Sequence, residues 1–127
     1  MKFEHLAINV PDAAAMAHWY VEQCEMQVVR GLERPPFTHF LADSTGRTVL
    51  ELYSNPVAPV PDYAAQHPLY LHVAFAVGDI ISIKEHLIAA GATVFSDDHL
   101  DDGTHLMMLR DPWGVALQLC QRSTPLP

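Results

Sequence analysis

"YLHVAFAVGDI", residues 70–80, alternates over its first eight positions. Leu71, Val73, Phe75 and Val77 fall on one side, and Tyr70, His72, Ala74 and Ala76 on the other. That period of two predicts a strand with one strongly apolar face. Asp79 then stands where a helix N-cap belongs, ahead of Ile80, Ile83, Leu87 and Ala90 at helical spacing, with Gly91 as the stop. The strand also carries an oddity. His72 has no polar side chain near it until Asp79, and a neutral imidazole in an apolar setting needs a partner.

The same construction occurs at the start of the chain. "FEHLAINVPDA", residues 3–13, places His5 where the other stretch has His72, 67 positions later. The same offset lays Ala7 on Ala74, Val10 on Val77 and Asp12 on Asp79, and "LEL" (50–52) on "LQL" (117–119). Glu51 thereby falls on Gln118. Ala13, Met16, Ala17, Tyr20, Val21 and Cys24 give the first copy its helix. Three short strands are expected after each helix, at 26–31, 37–42 and 48–53 and again at 92–96, 104–110 and 115–121, with "DSTGR" and "RDPWG" as the last turns. The order is βαβββ, written twice. Module one spans 1–54, a Pro-rich linker 55–68, and module two 69–122, all within one α+β domain of 127 residues.

Bulk properties exclude several classes. Half the residues are hydrophobic, which argues for a packed core. Seven Lys+Arg against fifteen Asp+Glu leave a net charge of −8, unsuited to nucleic acid or an anionic membrane surface. No apolar run is long enough to span a bilayer and no secretory leader is evident, so a cytoplasmic location is expected. Cys24 and Cys120 are far apart and read as reduced thiols. "SDDHLDD" (96–102) lacks calcium-loop spacing and reads as a solvated turn.

Alternation also assigns the faces. The sides turned toward the helices are apolar. The opposite sides carry small residues and one polar group per strand: His5, Glu51, His72 and Gln118. If each module is a curved sheet with its helix outside, a twofold-like relation would gather these four groups in a concavity. Two imidazoles, a carboxylate and an amide oxygen suit a divalent transition metal (Ni, Zn, Fe or Mn) with open positions for water or substrate. A carboxylate inside "TVLELY" is costly to bury without a cation or donors. Of the other histidines, His18 and His86 are expected on exposed helix faces, and His39 and His105 on strands.

"HLAINVPDAAAMAHWYVE" (5–22), "VLELY" (49–53), "LHVAFAVGDI" (71–80) and "LRDPWGVALQL" (109–119) together resemble the vicinal oxygen chelate superfamily. It includes glyoxalase I, bleomycin-resistance proteins, methylmalonyl-CoA epimerase and extradiol dioxygenases. The resemblance implies an incompletely closed, cleft-lined barrel of two βαβββ modules, and it maps the family's four metal positions onto His5, Glu51, His72 and Gln118. It also implies a homodimer, with a small molecule as substrate.

Three activities fit. The first is a metal-dependent lyase or isomerase of the lactoylglutathione lyase type, chelating vicinal oxygens of a small carbonyl substrate and stabilising its enediolate. Many glyoxalase-like members carry glutamate where this chain has Gln118, which cannot accept a proton at neutral pH. Glu51 is then the catalytic base. The second is an iron dioxygenase using His5, His72 and Glu51 as a two-histidine, one-carboxylate triad. The third is a metal-free protein that sequesters a cationic drug. Tyr53 and Trp113 are expected near the pocket. For a large anionic cofactor such as glutathione the chain offers few cations, Arg30, Arg34 and Arg47 foremost.

Overall fold

The computed structural model describes residues 1–127. The chain divides into two compact units, Met1–Pro61 and Asp62–Pro127. The first unit contains β1 (Leu6–Asn9), α1 (Ala13–Gln23), β2 (Gln27–Gly31), β3 (His39–Ala42) and β4 (Thr48–Tyr53). The second contains β5 (Val73–Ala76), α2 (Ile80–Ala89), β6 (Thr93–His99), β7 (His105–Arg110) and β8 (Ala116–Gln121). Each unit is βαβββ. Each forms one open four-stranded sheet, in the orders β1-β4-β3-β2 and β5-β8-β7-β6, and neither sheet closes on itself.

The repeat is kept in the parallel ladders and in the helix caps. β1 lies parallel to β4 with Ala7 opposite Glu51, and β5 lies parallel to β8 with Ala74 opposite Gln118. The Val10 amide donates to the Tyr53 carbonyl, and 67 residues later the Val77 amide donates to that of Cys120. The Asp12 carboxylate accepts from the Ala15 amide and that of Asp79 from the Ser82 amide. Each cap contributes about 1 kcal/mol by satisfying an otherwise orphaned N–H.

Burial follows the predicted faces. Val10, Met16, Tyr20, Leu41 and Leu52 fill the core of the first unit; Ile80, Leu87, Leu109, Leu117 and Leu119 fill that of the second. In β4, Leu50 and Leu52 are buried and Glu51 half-buried between them. Asn9, at the end of β1, is buried and spoken for. Its amide donates to the Asn55 and Ala58 carbonyls and its oxygen accepts from the Asn55 amide, which fixes the exit from β4.

Three strand boundaries differ most from the sequence reading. The opening strands are shorter than 3–10 and 70–77, because the parallel ladders pair only four residues each. His5 and His72 therefore sit just ahead of β1 and β5. The third difference matters more. β6 runs to His99 instead of ending at 96, pairing Asp97, Asp98 and His99 with Met107, Leu106 and His105. Half of the supposed acidic turn is thus an edge strand, where charge is tolerated and blocks further pairing.

The remaining turn, 100–104, is tied down by Asp102. The Thr104 amide, the Thr104 hydroxyl and the Ser123 hydroxyl all donate to its carboxylate, holding its pKa below the ordinary value. The folded state thus favours the charged form. This stabilisation is present above the ordinary carboxylate pKa and is lost as the pH falls. Melting temperatures of wild type and Asp102→Asn are expected to differ at neutral pH and converge on acidification. A gap unchanged by acid would show that the charge contributes nothing.

Candidate functional site

In the first unit, register brings two of the predicted ligands together. His5 precedes β1, whose neighbour is β4, and its Nε2 lies 3.0 Å from Glu51 Oε2. Phe40, opposite Glu51 on β3, packs edge-on against the His5 ring at 5.3 Å. The Glu51 side chain is only 16 % exposed, so His5 supplies the partner that a carboxylate in this setting requires. His5 Nδ1 is buried and makes no hydrogen bond, although a Glu4 oxygen lies 3.3 Å away as an ion-pair neighbour.

In the second unit, His72 and Gln118 share one side of the sheet, since Ala74 pairs with Gln118 and His72 is two residues from Ala74. His72 Nδ1 is 3.1 Å from the Pro68 carbonyl. A carbonyl only accepts, so Nδ1 carries the proton and Nε2 keeps its lone pair. Gln118 Oε1 accepts from the Cys120 thiol at 3.4 Å. Burial pushes the Cys120 thiol pKa up, with the nearby Arg122 charge opposing weakly, so Cys120 is a poor nucleophile at neutral pH.

These features fit a metal ion. Ligand atoms at about 2.0–2.2 Å from an ion, at right angles or tetrahedral angles, stand roughly 3 Å apart, which is the His5–Glu51 separation. The backbone carbonyl behind His72 is the kind of support that orients ligating imidazoles and fixes their tautomer. Imidazole and carboxylate donors select transition ions over calcium.

Two cavities lie among chain neighbours of these residues, and neither is lined by His5, Glu51, His72 or Gln118. One of about 290 Å³ is lined by Ala74, Phe75, Ala76, Val77, Cys120, Arg122, Pro125 and Leu126, with Ala74, Ala76 and Cys120 drawn from the side that carries Gln118. Another, of about 420 Å³, is lined by Lys2, Phe3, Glu4, Gly46, Arg47 and Thr48. The Arg47 guanidinium lies over the Phe3 ring there, 5.9 Å from its centre. Arg30 and Arg34 are exposed and line neither.

Other candidates resolve differently. His39 hydrogen-bonds the Phe37 carbonyl and sits opposite Leu52, on the core side of its sheet and away from Glu51. His18 and His86 are exposed, as expected. Tyr53 and Trp113 are half-buried, Tyr53 two residues from Glu51 on the same side of β4 and Trp113 in the turn before β8. A constellation that the sequence reading passed over is Asp97, His99 and His105, whose ligand atoms all lie within 4.8 Å of one another. Its trace in the sequence is "DDHLDDGTH" (97–105), two histidines flanking an Asp-Gly turn with an aspartate two residues before the first.

The chain matches the family model of the Glyoxalase/Bleomycin resistance protein/Dioxygenase superfamily over residues 2–119. No curated protein matches it. Among solved structures, a glyoxalase family protein from Enterococcus faecalis is 26 % identical, with a TM-score of 0.69 over 94 % of this chain and 97 % of that one. The E144Q mutant of glyoxalase I from Zea mays is 24 % identical with a TM-score of 0.72, covering 97 % of this chain and 46 % of that one. TnmS3, an antibiotic binding protein from Streptomyces sp. CB03234, is 18 % identical with a TM-score of 0.72, covering 97 % of each chain. No helix is long and apolar enough to cross a membrane.

Proposed function

The chain belongs to the Glyoxalase/Bleomycin resistance protein/Dioxygenase superfamily, and from that premise we propose that it is a metal-dependent lyase or isomerase acting on a small carbonyl compound. His5 and Glu51 of one repeat, with His72 and Gln118 of the other, hold the divalent ion. The observation that carries this reading is the repeat-equivalent placement of the ligands. His5 Nε2 and Glu51 Oε2 already stand 3.0 Å apart, and His72 keeps Nε2 bare by spending Nδ1 on Pro68.

Bound there, a divalent ion would act as a Lewis acid toward two neighbouring oxygens of the substrate, lowering the cost of the negative charge that develops when a C–H proton leaves. Glu51 takes that proton, because Gln118 has no basic site. Without the ion, His5 Nε2 and Glu51 Oε2 face each other across 3.0 Å, and the imidazole must give up any Nε2 proton before both atoms can ligate. The cavity beside Cys120 takes Ala74, Ala76 and Cys120 from the Gln118 side of its sheet and offers mostly apolar surface to the substrate's carbon skeleton. One carboxylate and three neutral ligands leave a divalent site with about one net positive charge, favouring an anionic or enolisable oxygen donor.

Elemental analysis followed by assays of the nickel-, zinc-, iron- and manganese-loaded protein tests this. Expected are one ion lost with His5→Ala and His72→Ala, and turnover of 2-oxoaldehyde thiol adducts or related carbonyls. Oxygen uptake on catechols by the ferrous protein alone would assign the site to dioxygenase chemistry instead. A protein that binds a cationic drug equally well with or without His5 would be a sequestering protein.

A further inference from the structure

The second unit carries a further cluster of ligating groups at the end of its β6–β7 hairpin. His99 and His105 are the last cross-strand pair, and Asp97 is two residues before His99 on the same side. The two imidazoles stack with ring centres 3.9 Å apart and planes 27° from parallel. Stacking turns both Nε2 edges toward one atom: Asp97 Oδ1 lies 2.5 Å from His105 Nε2 and 3.6 Å from His99 Nε2. His105 is 9 % exposed, while Asp97 and His99 are open to solvent.

This cluster is separate from the Gln118 side of the sheet. His105, Met107 and Leu109 pair with Gln121, Leu119 and Leu117, whereas Gln118 pairs with Met108. Paired residues share a face, so the cluster and Gln118 occupy opposite faces.

We propose that Asp97, His99 and His105 form a second divalent transition-metal site, distinct from the one built on His5, Glu51, His72 and Gln118. Two imidazole nitrogens and one carboxylate oxygen suit zinc, nickel or copper; calcium and magnesium would want oxygen alone. Around a tetrahedral ion, donors at about 2.0–2.2 Å stand roughly 3.3 Å from one another. The observed 2.5 and 3.6 Å from Asp97 bracket that value, and all three donor atoms lie within 4.8 Å of one another, so side-chain rotations that part the stacked rings admit the ion and displace the proton between Asp97 and His105. The fourth position stays open to water on the exposed side.

The hairpin holds the donors in place before any ion arrives. The Leu100 amide bonds the Thr104 carbonyl, the Gly103 amide bonds that of Leu100, and Asp102 is consumed by Thr104 and Ser123. Asp102 therefore shapes the turn and leaves ligation to the other three. Asp98 and Asp101, exposed beside them, add negative potential that attracts a cation.

The test is zinc titration by calorimetry in a His5→Ala/His72→Ala background, which removes the other proposed site. One equivalent of Zn²⁺ is expected to bind. Adding His99→Ala should weaken it by more than the roughly 10–100-fold that losing even an outer partner of a metal ligand costs. His99 is exposed, so its removal leaves the fold intact, and unchanged melting in the absence of zinc checks this. Should the double background fail to fold, wild type and His99→Ala are compared directly, with loss of one bound equivalent expected. Titrations that His99→Ala and Asp97→Asn both leave unchanged overturn the proposal. Failure of the His5/His72 site would not alter this readout.

Discussion

Glu51→Gln is expected to lower turnover of the metal-loaded protein by about 10²–10⁴-fold, the range that a positioned general base contributes. The substitution keeps shape and volume, so Leu50 and Leu52 stay packed on either side. In the ion-free protein its amide can still meet His5 Nε2 across the 3.0 Å gap, so the fold around the site is kept. What disappears is the one carboxylate among the four proposed ligands. Gln118, the residue equivalent by repeat, offers an amide oxygen that does not take up a proton at neutral pH. Adding Gln118→Glu to Glu51→Gln would move the carboxylate to the other half of the repeat and is expected to restore part of the rate. Metal content is measured alongside, which separates a lost base from a lost ligand. Wild-type turnover in Glu51→Gln with metal still bound would show that Glu51 moves no proton.

The internal repeat made most of the fold legible. A fixed offset of 67 aligned both first strands, both helix caps and the third strand of each βββ run, and the ladders reproduce it pair by pair. Alternation also told which face Glu51 and Gln118 take. It could not say that β1 lies directly beside β4, a pairing of strands distant in sequence, and only that adjacency brings His5 to Glu51. The Pro68 carbonyl behind His72 was hidden for a similar reason, since a bend between 68 and 72 has no periodic pattern. The Asp97 cluster was missed because composition misled. Four aspartates within residues 97–102 look like a solvated loop, and the decisive fact is register. A bulge between Val94 and Ser96 shifts the pairing so that His99 meets His105. A slip of one residue would send Asp97 and His99 to the other face.

Gly114→Ala is expected to be far more damaging than Gly46→Ala, although both glycines occupy turns that lead into the last strand of their unit. Their backbone conformations are alike, with φ of +86° and +80°. A side chain at either position costs about 1–2 kcal/mol for the left-handed conformation alone. The surroundings differ. A Cβ at Gly46 meets nothing within 4 Å, whereas one at Gly114 comes within 2.8 Å of the Ala64 Cβ and backbone nitrogen. Ala64 cannot back away freely, because the Arg110 guanidinium clamps its neighbours through the Tyr63 and Gln66 carbonyls. Nor can the turn, since buried Asp111 accepts from the Trp113 and Val115 amides. Overpacking against a fixed backbone adds a further 1–3 kcal/mol or so. At roughly 4 °C per kcal/mol for a chain of this size, melting should fall by about 4–8 °C for Gly46→Ala and by about 8–20 °C for Gly114→Ala. Equal losses would mean that the Ala64 segment yields, and that the turn before β8 does not depend on Arg110 to hold it. If the larger loss is found, Gly114 is the residue that lets the turn sit against this clamped segment and deliver Gln118 in register.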